Sequence, residues 1–138
     1  MRRTPAKQAA ADVFEAVRRV GCALPDVEAT TKYDGSPVLK VGGCFMAGLA
    51  MHRSAESGTL VVRTGFEQRE GLVADAPETY YLTEYYRKHP VVLVRLSAIS
   101  HDALRDLLSV SWRLALLKVR RTRRKPLTTY PFPLVARR

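Results

Sequence analysis

Near the start of the chain, apolar residues recur every three or four positions, which is the spacing of one face of a helix. They are Ala10, Val13, Phe14, Val17 and Val20. Thr4 and Pro5 are residue types favoured at the cap and first position of a helix, and Gly21 ends the pattern. The pattern therefore predicts an amphipathic helix from Pro5 to Gly21.

Between residues 25 and 63 the helical spacing gives way to short apolar runs separated by turn residues. Such runs are typical of an antiparallel meander, and they predict four strands, at 28–33, 38–41, 44–51 and 59–64. The most distinct turn is Gly42–Gly43, because two glycines between apolar runs favour a tight hairpin.

The following residues predict a short helix at 67–74 and two more strands, at 80–83 and 91–96. The run Val91–Val94 is continuously apolar, which predicts a central, buried strand. Ser100 is the predicted N-cap of a last helix that ends at Leu117. The face that this helix packs on the sheet is predicted to consist of Leu104, Leu107, Leu108, Ser111 and Ala115.

Together these elements predict an α+β fold, an antiparallel sheet flanked by an N-terminal and a C-terminal helix. The chain has 138 residues, 46% of them hydrophobic, which is enough for one core. We assign residues 1–117 to a single domain and residues 118–138 to a tail. No apolar run is long enough to cross a membrane or to form a signal peptide, so we expect a cytoplasmic protein. Cys22 and Cys44 are expected to be buried small hydrophobes.

Positive charge is concentrated in the last 21 residues of a chain whose formal net charge is +10. Eight basic residues and no acidic ones lie between Lys118 and Arg138, whereas residues 1–117 hold 15 basic residues against 13 acidic ones. Charge repulsion and three prolines predict that this tail is irregular. A tail of this sign can neutralise a polyanion such as nucleic acid or an anionic membrane surface.

Several short motifs follow one another in a set order along the chain. They are Leu24–Glu28, Val41–Gly43, Phe66–Glu70, Tyr81–Thr83, Tyr86–Arg87, Pro90, Val92–Leu96 and Ser111–Arg113. From about Val13 to Leu117, this ordered set resembles the MmcQ/YjbR family of small bacterial proteins. The resemblance implies a compact α/β fold related to the frataxin-like arrangement, and the DNA-binding role by which members are commonly described. The basic tail lies outside the usual family core.

The candidate nucleic-acid contacts are the basic residues at the start of the tail: Lys118, Arg120, Arg121, Arg123, Arg124 and Lys125. If six such contacts formed on duplex DNA, log K would fall with log salt at a slope of about −5. Phosphate contacts position a protein without reading bases, so the predicted binding is weak and largely independent of sequence. The alternatives are a solvated tail without a partner and a protein-interaction module. In that module the tail docks on an acidic partner, or Tyr130–Val135 mediates self-association.

A second candidate site, for a phosphate or a small anionic metabolite, lies within the predicted domain and consists of Arg63, Tyr86, Arg87 and Arg95. Arg63 and Arg95 fall in predicted strands and are expected on one sheet face, where nearby tyrosines would complete an aromatic and basic surface. The alternative is that these arginines pair within the protein, with Glu67, Glu70, Glu78 or Glu84.

We predict no catalytic residue, cofactor or metal ligand. The histidines at 52, 89 and 101 lack the mutual spacing of a metal site. Gly42–Gly43 is not followed by the Lys-Ser/Thr pair and helix of a phosphate-binding loop. The sequence therefore favours a non-enzymatic binding protein.

Overall fold

The short apolar runs between residues 27 and 95 form one six-stranded antiparallel sheet. The computed structural model describes the backbone of residues 5–129 and the side chains of residues 13–121. The strands lie in the order β1-β2-β3-β4-β6-β5, and each pairs antiparallel with its neighbour. Their bounds are β1 Val27–Thr31, β2 Pro37–Val41, β3 Cys44–Leu49, β4 Thr59–Arg63, β5 Tyr80–Tyr81 and β6 Val91–Arg95.

The described residues also form four helices: α1 Pro5–Gly21, α2 Phe66–Asp75, α3 Glu84–Arg87 and α4 His101–Thr129. The predicted α+β fold with flanking terminal helices is thereby confirmed. Ser100 caps α4 as predicted, because its hydroxyl accepts a hydrogen bond from the backbone N–H of Ala103 at 3.1 Å. The single turn of α3 was not predicted, since four residues are too few to show a helical period.

The main core lies between one face of the sheet and the helices α1 and α4. The sheet contributes residues that alternate along its strands, among them Leu39, Val41, Leu60, Val62, Val92 and Val94. The helices contribute Phe14, Val17, Leu104, Leu107, Leu108 and Ala115. The predicted face of α4 is therefore confirmed as a surface that packs on the sheet. Of the predicted α1 face, Phe14, Val17 and Val20 pack on the core, whereas Val13 is 41% exposed and the side chain of Ala10 lies outside the described residues.

The opposite face of β4 and β6 is covered as well. Val61, Val91 and Leu93 form a second buried cluster beneath side chains of the 50–58 loop and of α3. Because both faces are covered, the apolar run of β6 is buried at four successive positions. The prediction of a central, buried strand is confirmed.

A β-bulge in β3 explains why a serine lies in the core. Leu39 pairs with Ala47, but the next residue of β2 pairs with Phe45, so Met46 is an extra residue in β3. The hydroxyl of Ser111, which is fully buried on α4, donates a 2.8 Å hydrogen bond to the carbonyl of Met46. The serine thus satisfies a carbonyl on the irregular strand.

The last helix does not end at Leu117, so the prediction of irregular chain from that point is wrong as far as Thr129. Arginine and lysine are good helix formers, and like-charge repulsion between turns costs only a few tenths of a kcal/mol per pair. Val119 is only 7% exposed and continues the apolar face of α4. It packs on the β2–β3 hairpin at Gly42, whose φ is +57° and where a Cβ would lie 2.8 Å from a Val119 methyl.

Candidate anion-binding cleft

A cleft lies at the end of the sheet where β4 stops, β6 begins and α4 passes overhead. Arg63, the last residue of β4, is paired with Val91, the first residue of β6. From α4 come Leu114, Leu117, Lys118 and Arg121, whose spacing puts them on one side of the helix. The basic cleft, as we call it, has a volume of about 450 Å³ and is lined by Arg63, Thr64, Pro90, Leu114, Leu117, Lys118 and Arg121.

A backbone carbonyl orients the Arg63 side chain, but no carboxylate of the described residues neutralises its charge. Its Nε donates a 2.7 Å hydrogen bond to the carbonyl of Phe45. Among the side chains of residues 13–121, no carboxylate forms an ion pair with Arg63, Lys118 or Arg121. The residues that line the cleft include no Asp or Glu. Three cations and no anion give the cleft a positive potential.

Thr64, the residue after β4, also lines the cleft. It is 1% exposed, and its N–H donates to the carbonyl of Pro90 at 2.9 Å. Its buried hydroxyl oxygen has no hydrogen-bond partner in the part of the chain that the structure describes. Buried polar groups in folded proteins are normally hydrogen-bonded, so an unpartnered hydroxyl in a residue that lines the cleft is unusual.

A second space, the aromatic hollow, adjoins the basic cleft and has a volume of about 380 Å³. The two share Arg63, Pro90 and Lys118, and the hollow adds Phe45, Val61, Tyr85, Tyr86, His89 and Val91. Burial raises the pKa of Tyr86, so its phenol stays neutral and able to donate a hydrogen bond at physiological pH. The hollow thus combines aromatic rings with the same cations that line the cleft.

The tyrosines of the hollow are held by neighbouring rings. The His52 ring stacks on Tyr85 with centroids 3.5 Å apart and planes 9° from parallel. Tyr86 meets Tyr85 edge to face at a centroid distance of 5.0 Å. Tyr85 nevertheless remains 51% exposed, which is unusual for an aromatic side chain held in a cluster.

A buried arginine fixes the backbone that forms the shared wall. Arg69 on α2 is 4% exposed, and its guanidinium donates to three carbonyls between α3 and β6. The distances are 2.6 Å to Arg87, 2.6 Å to His89 and 3.2 Å to Val91. Pro90, which lines both spaces, lies between two of these carbonyls. We infer that Arg69 is a positioning residue for the site.

Arg95, by contrast, is engaged at the other end of β6. In the register of β4 and β6, Arg95 lies opposite Thr59, which is four residues from Arg63 along β4. The two arginines therefore share a sheet face but are separated by about 13 Å. Arg95 forms two 2.9 Å hydrogen bonds with the carboxylate of Glu56 and lies 4.2 Å above the Tyr81 ring. These hydrogen bonds lower the pKa of Glu56 and raise that of Arg95.

The predicted site residues therefore separate into two groups. Arg63 and Tyr86 meet Lys118 and Arg121 around the two spaces, whereas Arg87 lies 3.6 Å from Glu84 in an exposed ion pair. Arg120 is exposed on α4. Arg123, Arg124 and Lys125 belong to α4, and their side chains lie outside the described residues, as does the whole of 130–135.

Metal ligands, membrane-spanning helices and cysteines complete the account of the described part of the chain. Residues 13–121 bring together no three His, Cys, Asp or Glu side chains that could hold a metal ion. None of the described helices combines the length and apolar character needed to cross a bilayer. Both cysteines are free thiols, but Cys22 is exposed and Cys44 half-buried. The expectation that both are buried is wrong, because Cys22 lies in the turn just after α1.

An antiparallel α+β domain with a terminal helix across one sheet face defines the structural class of this protein. Within that class, the YjbR family model matches residues 22–114, and the chain belongs to the YjbR family. The fold is similar to the crystal structure of Deinococcus radiodurans protein DR2400, described by the family-model domain DUF419, with a TM-score of 0.58 and 24% identity. That similarity covers 71% of this chain and 74% of the other. No curated protein matches.

The family match confirms the resemblance carried by the ordered motifs. It includes Arg63, Thr64, Pro90 and Leu114 but stops before Lys118 and Arg121. The basic cleft is therefore assembled from residues inside the matched region and from the helical extension beyond it.

Proposed function

We propose that this YjbR-family protein is a non-enzymatic nucleic-acid-binding protein, with weak and largely sequence-independent binding through the basic part of α4. The contacts assigned to this role are Lys118, Arg120, Arg121, Arg123, Arg124 and Lys125. The observation that carries the proposal is the absence, within residues 13–121, of any carboxylate partner for Lys118, Arg120 or Arg121.

The helical state of this segment supports the proposal. Because α4 continues from the core through Thr129, its backbone holds the basic residues at defined spacings. Lys118 and Arg121 lie within two residues of Val119, whose packing at Gly42 fixes the orientation of this turn. A rigid presentation of cations avoids part of the ordering entropy that an unstructured tail would lose on binding.

The test is the salt dependence of binding, measured with variants that preserve the helix. Replacing Arg120, Arg123 and Arg124 together with glutamine removes three charges and leaves Lys118 and Arg121 in place. If all three contact phosphates, the slope of log K against log salt on duplex DNA becomes less negative by about 2.7.

A matched control loses three charges elsewhere. Arg53, Arg105 and Arg113 are all exposed, so their joint replacement with glutamine changes the net charge equally without touching the proposed contacts. We expect this control to keep most of the slope. An unchanged slope in the α4 variant, or an equal change in both variants, would refute the assignment.

A further inference from the structure

We propose that the basic cleft and the aromatic hollow together hold one unpaired nucleoside phosphate, with the phosphate in the cleft and the base in the hollow. The inference rests on the proposed function and narrows its ligand to single-stranded nucleic acid or a free nucleotide, which share this unit. It follows from the adjacency of the two spaces, which are joined by Arg63, Pro90 and Lys118.

The phosphate half is defined by three cations from two elements. Hydrogen bonding of Nε to the Phe45 carbonyl orients the Arg63 guanidinium, whose terminal nitrogens have no partner among the described residues. The planar fork of an arginine can bind two phosphate oxygens at once. Lys118 and Arg121 approach from α4, and Thr64, whose buried hydroxyl has no partner among the described residues, lines the same cleft. This hydroxyl is independent of the charges and also suits a phosphate.

The base half is defined by apolar walls and aromatic rings. Its volume of about 380 Å³ lies within the range usual for small-ligand pockets, roughly 300–1,000 Å³. Tyr85 is held on one ring face by His52 yet is half exposed, as expected for a platform on which a base can stack. Tyr86 adds a neutral phenol, and His89 adds ring nitrogens that can bond to a base edge.

This arrangement favours an unpaired base. In a duplex each base is stacked and paired, so the face of a base cannot enter the hollow without unstacking, whereas the phosphates remain accessible. A single strand or a free nucleotide can place its base in the hollow while its phosphate stays in the cleft. The structure thus predicts selectivity for single strands that electrostatic attraction alone does not supply.

The experiment compares fluorescence anisotropy titrations of a mixed-sequence single strand of about 12 nucleotides with the duplex of equal length. Tyr85→Ala is expected to weaken single-strand binding by at least about fivefold and to leave duplex binding unchanged. Tyr85→Phe, which keeps the ring, is expected to restore the single-strand affinity. Arg121→Gln is expected to weaken single-strand binding, and Arg113→Gln, an exposed change on α4 outside both spaces, serves as its control.

Competition with adenosine monophosphate separates the two sources of the ligand. Displacement of the strand by the mononucleotide, lost in Tyr85→Ala, shows that a free nucleotide fills the site. A Tyr85-dependent strand preference without displacement shows that the site needs a continuing chain. Either result supports the inference.

Two outcomes separate this inference from the proposed function. In the first outcome, single strand and duplex bind with equal affinity, Tyr85→Ala changes neither affinity, and the salt slope still depends on the α4 cations. The inference then fails while the proposed function stands. If the mononucleotide binds in a Tyr85-dependent way but no polymer does, the proposed function fails and the site assignment survives.

Discussion

Replacing Arg69 tests whether one buried guanidinium holds the wall shared by the cleft and the hollow. Arg69→Met keeps an unbranched apolar side chain but removes all donors to the carbonyls of Arg87, His89 and Val91. No carboxylate pairs with Arg69 among the described residues, so these carbonyls are the main partners of its charge. The Phe66 ring, 4.7 Å from the guanidinium carbon, is a further contact.

The size of the effect follows from these contacts. Three hydrogen bonds from a charged donor contribute at least about 1.5 kcal/mol each, or about 4.5 kcal/mol together. Part of this is recovered in the variant, because Arg87 and His89 lie in an exposed segment where water can reach their carbonyls. The Nε of Arg69 is also buried without a partner, so its removal relieves a small penalty. We therefore expect the free energy of unfolding to fall by about 3 kcal/mol and Tm by about 10 °C.

The assay is urea denaturation followed by circular dichroism, with Arg113→Met as the matched control. Arg113 is exposed on α4, so its replacement removes the same charge and is expected to change the free energy of unfolding by less than about 0.5 kcal/mol. Arg69→Lys, which keeps the charge but not the planar fork, is expected to fall between wild type and Arg69→Met. A loss of less than about 0.5 kcal/mol in Arg69→Met would contradict the positioning role.

Two further predictions concern other polar contacts. Ser111→Ala leaves the Met46 carbonyl at the bulge without a donor in the core. Chemical denaturation should show that the free energy of unfolding falls by about 1–3 kcal/mol. An unchanged unfolding midpoint would mean that the hydrogen bond contributes nothing. The hydrogen bonds from Arg95 lower the pKa of Glu56 below its ordinary value of 4.5. The stability that this pair contributes is therefore present above pH 4.5 and is lost as the pH falls through the lower pKa of the folded state. The stability difference between wild type and Glu56→Gln should therefore shrink on acidification; a difference that stays constant down to acid unfolding would count against this linkage.

The sheet was largely predictable because its signals are local. The turn at Gly42–Gly43 and the continuous run of β6 each fix an element within a few residues. Predicted strands end up to two residues beyond the observed ones, as at Met51 after β3, and β1 and β2 each begin one residue before the predicted start. Apolar residues that follow a strand, such as Ala50 and Met51, give no sequence signal that the ladder has ended.

The roles of the arginines were not predictable from local pattern. Arg69 lies in a predicted helix and Arg95 in a predicted strand, but neither surrounding shows that Arg69 is buried against three carbonyls or that Arg95 pairs with Glu56, 39 residues away. The partners proposed from sequence were nearby carboxylates, and Glu84 with Arg87 is the pair among them that forms. Which cation remains free depends on long-range contacts, because the partners of Arg63, Arg69 and Arg95 come from other elements of the fold.

The cleft shows why the basic residues that follow Leu117 cannot be treated separately from the fold. The apolar spacing of α4 continues through Ala115 to Val119, a signal already present in the sequence, and this spacing places Lys118 and Arg121 beside Arg63. Ending the chain at Leu117 would remove the Val119 contact with the hairpin together with the charges. A loss of binding in such a truncation would therefore not distinguish lost phosphate contacts from a loosened helix. Substitutions that keep Val119 and change only the cations do make that distinction.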